Sequence, residues 1–301
     1  MTWLTPDAGE HPAKRLRDLL DSETDLVVPG VFNGLSALLA KEAGARALYL
    51  SGAAFSASMG MPDVGLVTLD ELARVGRQIV RVTRTPLIVD ADTGFGGALN
   101  VMRAVRELEG ARCAAIQIED QEDPKRCGHL DGKRVVPAEA FAEKVAAAAT
   151  ARQQLVVVAR TDARATHGFE EAVARGLAYR EVGADVVFPE ALETEDEFAE
   201  YARRVPGPLL ANMTEFGKGP RLSAPRLHAL GYRLVIFPVS AARVVAKQAR
   251  AFYADLLRGG DPAAWIDRMF TRQELSELIG YDDYAELDRR LAPDGDERDE
   301  A

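Results

Sequence analysis

Eight short apolar runs, separated by longer stretches of helical periodicity, constrain this 301-residue chain more than any other feature. They are Leu26 to Val28, Ala47 to Leu50, Leu87 to Val89, Ala114 to Ile118, Leu155 to Val158, Val186 to Phe188, Leu209 to Ala211 and Leu234 to Phe237. Strands alternating with helices imply right-handed βαβ units and a parallel sheet. Gly44-Ala45-Arg46, Gly110-Ala111-Arg112, Gly183-Ala184-Asp185 and Gly231-Tyr232-Arg233 each introduce a run, which suits a left-handed glycine cap and a tight turn into the strand. Eight such units close most naturally into an α/β fold of the (β/α)8 TIM-barrel type. An open doubly wound sheet shares the alternation. However, the one glycine-rich turn, Thr93 to Gly97, lacks the form of a dinucleotide fingerprint and follows the third strand. An amphipathic helix is expected around Pro12 to Asp21. Helices over Ala241 to Leu257 and Arg272 to Leu278 exceed what the barrel needs. The expected organisation is one barrel domain with C-terminal helices over 1–291, then an acidic, disordered tail over 292–301.

Composition enters mainly by exclusion. A formal net charge of -10 argues against nucleic acid, which needs a basic face, so an anionic substrate must be met by local arginines. No segment is apolar enough for a membrane span, and Met1 to Leu20 has no signal-peptide core, so a cytoplasmic protein is expected. Two cysteines make no disulfide framework. Cys113 sits in the apolar run Cys-Ala-Ala-Ile-Gln-Ile and reads as buried and inert. Cys127 lies among Lys125, Arg126 and His129, which favour a thiolate.

Polar residues follow the strands: Tyr49 and Ser51, Asp90 and Asp92, Glu119 and Asp120, Arg160 and Asp162, Glu190, Asn212 and Thr214. In a barrel the C-terminal strand ends share one face, so these residues are expected to converge. Asp90 and Asp92 point the same way on the pleat, with Glu119 and Asp120 at the next strand end. Hard oxygens grouped with room for water suit Mg²⁺, whereas a lone Asp-x-Asp would more often cap a helix. Lys125-Arg126-Cys127-Gly128-His129 lies in a long loop after the fourth strand, a place for acid/base chemistry. Arg160 ends a strand of valines, where a cation needs an anionic partner, a substrate carboxylate or Glu190. Arg243 and Arg272 read, by pattern alone, as surface arginines.

Taken together, Leu48 to Gly52, Met61-Pro-Asp63, Val89 to Asp92, Ile118 to Gln121, Lys125 to His129, Ala159 to Asp162, Phe188 to Glu190, Ala211 to Glu215, Ser240 to Arg243 and Thr271-Arg272 form an ordered set. That set resembles the methylisocitrate lyases of the isocitrate lyase and phosphoenolpyruvate mutase superfamily, from about Pro12 to Leu291. The resemblance implies a barrel whose last helix is swapped with a neighbour, a homotetramer, and Mg²⁺ as cofactor. It implies Asp90 and Asp92 at the metal with Glu119 in support. Ser51, Gly52, Ala53, Gly128, His129, Arg160, Glu190, Asn212, Thr214, Arg243 and Arg272 would line the substrate site. Ala53 and Ala54 replace family glycines and the loop to Met61 is one residue shorter, departures that bear on substrate fit.

The implied reaction is cleavage of 2-methylisocitrate, a small anionic 2-hydroxy tricarboxylate, to pyruvate and succinate in the methylcitrate cycle. Asp63 or Tyr49 would accept the hydroxyl proton and Cys127 would act as general acid. A sister lyase acting on 2,3-dimethylmalate fits the same motifs, including His129-Leu-Asp-Gly-Lys-Arg134. A superfamily decarboxylase, hydrolase or mutase fits less well, because those members usually lack a cysteine here. A silent anion-binding protein would need a lost metal site or thiol.

Overall fold

The computed structural model describes residues 2–5, 9–22, 26–126 and 132–292. The chain divides into two compact units, 10–243 and 1–9 with 244–301. In the first unit eight strands run parallel: β1 (Leu26–Val31), β2 (Leu48–Leu50), β3 (Leu87–Asp90), β4 (Ala115–Glu119), β5 (Val156–Thr161), β6 (Val186–Pro189), β7 (Leu210–Asn212) and β8 (Leu234–Phe237). Their order is β6-β5-β4-β3-β2-β1-β8-β7, and a parallel bridge between Val187 and Leu209 joins the two ends. The sheet is therefore a barrel, as the eight units required, and the open doubly wound alternative is excluded.

Pleat parity explains the packing. One set of alternate residues, among them Leu26, Val28, Tyr49, Ile88, Ala115, Val156, Val158, Val186, Phe188, Leu210, Leu234 and Ile236, makes one buried cluster inside the barrel. The other set, among them Leu48, Leu50, Val89, Ile116, Ile118, Val157, Val187 and Val235, packs in a second cluster with helix residues such as Leu72, Ile79, Val105, Phe141 and Tyr201. Residues two apart share a face, so the inward set continues upward to Asp90, Gln117, Glu119, Arg160, Glu190 and Asn212. The polar strand ends are the apolar interior carried on by two residues.

The N-terminal helix occupies Pro12–Asp21, with His11 capping it and Ala13, Leu16 and Leu20 buried. Glycine takes the left-handed turn at Gly44, Gly183 and Gly231, as expected. At the second phrase it does not: the helix Ala98–Gly110 retains its glycine, and Arg112 adopts φ 61° instead.

The second unit begins within the helix Ser240–Gly259 and continues through a 3-10 segment, Ala263–Arg268, and two helices, Arg272–Ile279 and Tyr281–Leu291. The last of these was not read from the sequence. Thr271 and Glu274 cap each other's backbone at the start of the second helix, and Gly280 turns the chain at φ 72°. Phe252 packs edge-on to Trp265 at 5.7 Å. None of these elements contains a buried residue; Tyr253, Leu257, Ile266, Phe270, Ile279 and Tyr281 are exposed. Residues 293–301, most of the expected tail, lie outside the described set. Among the described residues no helix is long and apolar enough to cross a membrane.

Candidate active site

A cavity of about 230 Å³ lies at the end of the inward set, and its lining includes Tyr49, Ser51, Ala53, Asp63, Asp90 and Lys125. Arg160, Glu190, Asn212, Thr214 and Arg243 line it further along the ring of strands. Of the polar residues expected to converge, Tyr49, Ser51, Asp90, Arg160, Glu190, Asn212 and Thr214 line this cavity, and Asp92, Glu119, Asp120 and Asp162 do not.

Register accounts for the pairings. Gln117 lies opposite Asp90 on the neighbouring strand, and its Nε2 donates to Asp90 Oδ1 at 3.0 Å. The Tyr49 hydroxyl donates to Gln117 Oε1 at 2.5 Å. Burial, with the Asp90 charge next, holds the Tyr49 phenol well above its ordinary range, so it is a neutral donor. Glu119 lies opposite Arg160, and the two pair at 3.2 Å. Burial drives the Glu119 carboxyl well upward despite Arg160. Arg160 also reaches Glu190 at 3.5 Å and lies over the Phe188 ring at 5.3 Å. Burial opposes its charge, but Asp162, Glu119 and Glu190 together raise its pKa. Asn212 Nδ2 donates to Glu190 Oε2 at 3.1 Å.

Ser51 caps the helix Gly52–Ser58, its Oγ accepting from Ala54 N at 3.3 Å. Gly52 N donates to Asp90 Oδ2 at 3.2 Å; a Cβ there would lie 3.1 Å from that oxygen and 3.5 Å from Asp92 Oδ1, so the position favours glycine. Asp92 itself adopts φ 49°. Its carboxyl is pushed up to about 6 by burial, against the pull of Lys125. Lys125 pairs with Asp92 at 2.8 Å and with Asp63 more closely still. Arg243 donates to Thr214 Oγ1 at 3.2 Å and to Glu215 Oε2 at 2.7 Å. Arg272 opens its helix in the C-terminal unit with an exposed side chain. Cys127, Gly128 and His129 lie outside the described residues.

Asp120 is a correction. Being one residue from Glu119, it faces the helix layer, where it accepts from Thr161 Oγ1 at 2.7 Å, Tyr179 OH at 2.9 Å and Arg175 Nη1 at 3.0 Å. It is a structural acceptor and not part of the carboxylate group at the cavity. Gln117 and the Lys125 ion pairs were missed by sequence reasoning. A lone glutamine in the apolar strand Ala-Ile-Gln-Ile-Glu was the available signal for the first. For Lys125, the cation was read as tuning the thiol, whereas it meets carboxylates of two other segments.

A hard divalent cation fits the donors present. Glu119 Oε1 is a buried oxygen without a hydrogen-bond donor, which native proteins seldom leave so, and Asp92 Oδ1 meets the Lys125 ammonium at 2.8 Å. Among the described residues no three His, Cys, Asp or Glu side chains form a ready-made cage. Mg²⁺ is commonly held by one or two carboxylates, with water and substrate completing the shell.

Residues 16–257 match the phosphoenolpyruvate phosphomutase family model. The chain belongs to the phosphoenolpyruvate mutase and isocitrate lyase family. It is 49% identical over 297 residues to a 2-methylisocitrate lyase of Aeropyrum pernix, covering 99% of this chain and 96% of that one. A 2,3-dimethylmalate lyase of Eubacterium barkeri is 41% identical over 285 residues, covering 94% and 99%. The crystal structure of a 2,3-dimethylmalate lyase superposes with a TM-score of 0.90 at 38% identity, over 95% of this chain and 98% of that one. A phosphonopyruvate hydrolase crystallised with oxalate and Mg²⁺ gives 0.84 at 32% identity, over 95% and 99%. The chain is a lyase.

Proposed function

We propose that this lyase cleaves 2-methylisocitrate to pyruvate and succinate at the carbon-carbon bond beside its tertiary alcohol. The observation that carries the reading is the cavity's lining, which brings the carboxylates Asp63 and Asp90 together with the cationic and amide groups of Arg160, Asn212 and Arg243. A tricarboxylate with a hydroxyl group needs both.

Asp90 and Asp92, with Glu119 in support, would hold Mg²⁺, which when bound would supply a Lewis acid to the substrate. Asp63 takes the hydroxyl proton. What supports it over Tyr49 is that the buried phenol is held neutral and already donates to Gln117. As the carbon-carbon bond breaks, its electron pair passes to the carbon α to a carboxylate. Arg160 and His129 stabilise the resulting aci-carboxylate, and Cys127 protonates that carbon to give succinate. Ser51, Gly52, Ala53, Gly128, Glu190, Thr214 and Arg272 complete the substrate contacts in this reading. The exposed apolar residues of the C-terminal helices support assembly with further copies as a helix-swapped homotetramer.

The second reading, 2,3-dimethylmalate, is favoured by the structural match to a lyase of that compound. Having one carboxylate fewer, it would leave one of the cationic groups without a substrate contact. Pyruvate release from 2-methylisocitrate, isocitrate and 2,3-dimethylmalate, measured side by side, tests the choice. The highest kcat/KM is expected for 2-methylisocitrate. Isocitrate, lacking one methyl, should lose only about 10- to 200-fold. A higher value for 2,3-dimethylmalate would replace the first reading with the second.

A further inference from the structure

Lys133 is a buried cation that does not line the cavity. Its side chain is 2% exposed, and its Nζ lies 2.6 Å from Oδ1 of Asp162, which is wholly buried. The same carboxylate takes the fork of Arg160, Nε to Oδ2 at 2.9 Å and Nη2 to Oδ1 at 3.1 Å. Arg160 turns its remaining faces toward Glu119 and Glu190. Lys133 reaches Asp162 because the return limb of the loop after β4 is fixed at its base. Val135 bridges antiparallel to Gln121, Glu122 N donates to Arg134 O at 2.9 Å, and Val136 N donates to Asp120 O at 2.9 Å.

The charges decide what this contact does. Arg160 alone faces three carboxyl groups, and the fork to Asp162 is its best geometry. Without Lys133 the excess of carboxyl groups over cations around Arg160 would be one charge larger, and an incoming anion would be repelled more strongly. A buried ammonium on Asp162 Oδ1 offsets that carboxylate, while the fork still fixes the guanidinium plane. We infer that Lys133 is a positioning residue: its ammonium on Asp162 offsets that carboxylate while the fork holds the Arg160 guanidinium toward a carboxylate of the substrate, linking the base of the loop to anion binding. The inference rests on the proposed role of Arg160 as a substrate-carboxylate ligand.

The test compares Lys133→Gln, which keeps a donor for Asp162 but removes the charge, Lys133→Met, which removes both, and Lys133→Arg, which keeps both. Readouts are KM and kcat for 2-methylisocitrate, calorimetric Kd for succinate and for oxalate, and the thermal midpoint. Lys133→Gln should raise KM and both Kd values about tenfold or more and change kcat by less than about threefold, and Lys133→Arg should restore them. A purely structural lysine would lower the midpoint with KM and Kd unchanged in the folded variant, and that result overturns the inference. So would failure of both Lys133→Gln and Lys133→Met to fold, since it would make the lysine a requirement of the fold. If the wild-type chain binds these anions yet releases no pyruvate, the substrate reading fails while the Kd values still decide the role of Lys133.

Discussion

The link between Tyr49 and Asp90 runs through one side chain, so replacing Gln117 by Leu should be felt at both. Gln117 is wholly buried; the change leaves the Tyr49 hydroxyl without its acceptor and removes from Asp90 the donor at 3.0 Å, leaving Gly52 N at 3.2 Å and Asp92 N at 3.4 Å. Each buried group left unpaired costs about 1–3 kcal/mol, so about 3 kcal/mol in total is expected. At about 2–4 °C per kcal/mol for a unit of this size, the midpoint should fall by about 6–12 °C. Tyr49→Phe should cost about 1–2 kcal/mol, because it leaves only Gln117 Oε1 unpaired. The double variant has lost both ends of that bond. It should therefore be more stable than the sum of the single effects implies, by about 1–2 kcal/mol. Denaturant unfolding of the four proteins, with kcat measured on each, gives the cycle. Additivity within about 0.3–0.5 kcal/mol would refute the coupling and with it the account of how Asp90 is oriented.

Other outcomes follow from the same site. Cys127→Ser should lower kcat by about 10²-fold or more, the scale of a lost general acid, as read in steady-state rates. Cys113, whose thiol burial pushes up to about 12, should resist alkylation by iodoacetamide at pH 8, and Cys113→Ser should leave turnover intact, both readable by mass spectrometry and rate. Asp92→Ala, or excess chelator on the wild type, should abolish pyruvate release without unfolding the barrel, with Mg²⁺ restoring only the chelated wild type; full activity in chelator would remove the metal from the account. Asp120→Ala should destabilise the barrel by about 1–3 kcal/mol in denaturant unfolding, because Thr161, Tyr179 and Arg175 lose a buried acceptor while Arg175 keeps Glu171 at 2.8 Å.

The barrel was legible because strand and helix periods differ, and the runs from Leu26 to Phe237 each fit one strand. The inward set was legible for the same reason, since Asp90, Glu119, Arg160, Glu190 and Asn212 each continue the pleat of a buried apolar residue. Asp120 was misplaced because adjacency in sequence was taken for adjacency in space, although a strand sends neighbours to opposite faces. Gly110 was misread because a glycine near a helix end need not be the residue that turns. Lys125 and Lys133 could not be assigned, since their carboxylate partners, Asp63 and Asp92 for one and Asp162 for the other, come from distant segments. Pattern alone also gave no reason to single out Arg243, whose contacts with Thr214 and Glu215 join the end of β8 to the segment after β7.

The most direct test of the proposed cleavage is to run it in D₂O and weigh the products. Breaking the bond between the carbinol carbon and its neighbour places a carbanion on the future succinate, and every acid in the site that could protonate it exchanges with solvent. Succinate should therefore gain one carbon-bound deuterium, at the new methylene, and pyruvate, quenched at once, should carry none in its methyl group. Deuterium in the pyruvate methyl but not in succinate, or release of carbon dioxide in place of the two acids, would contradict the account.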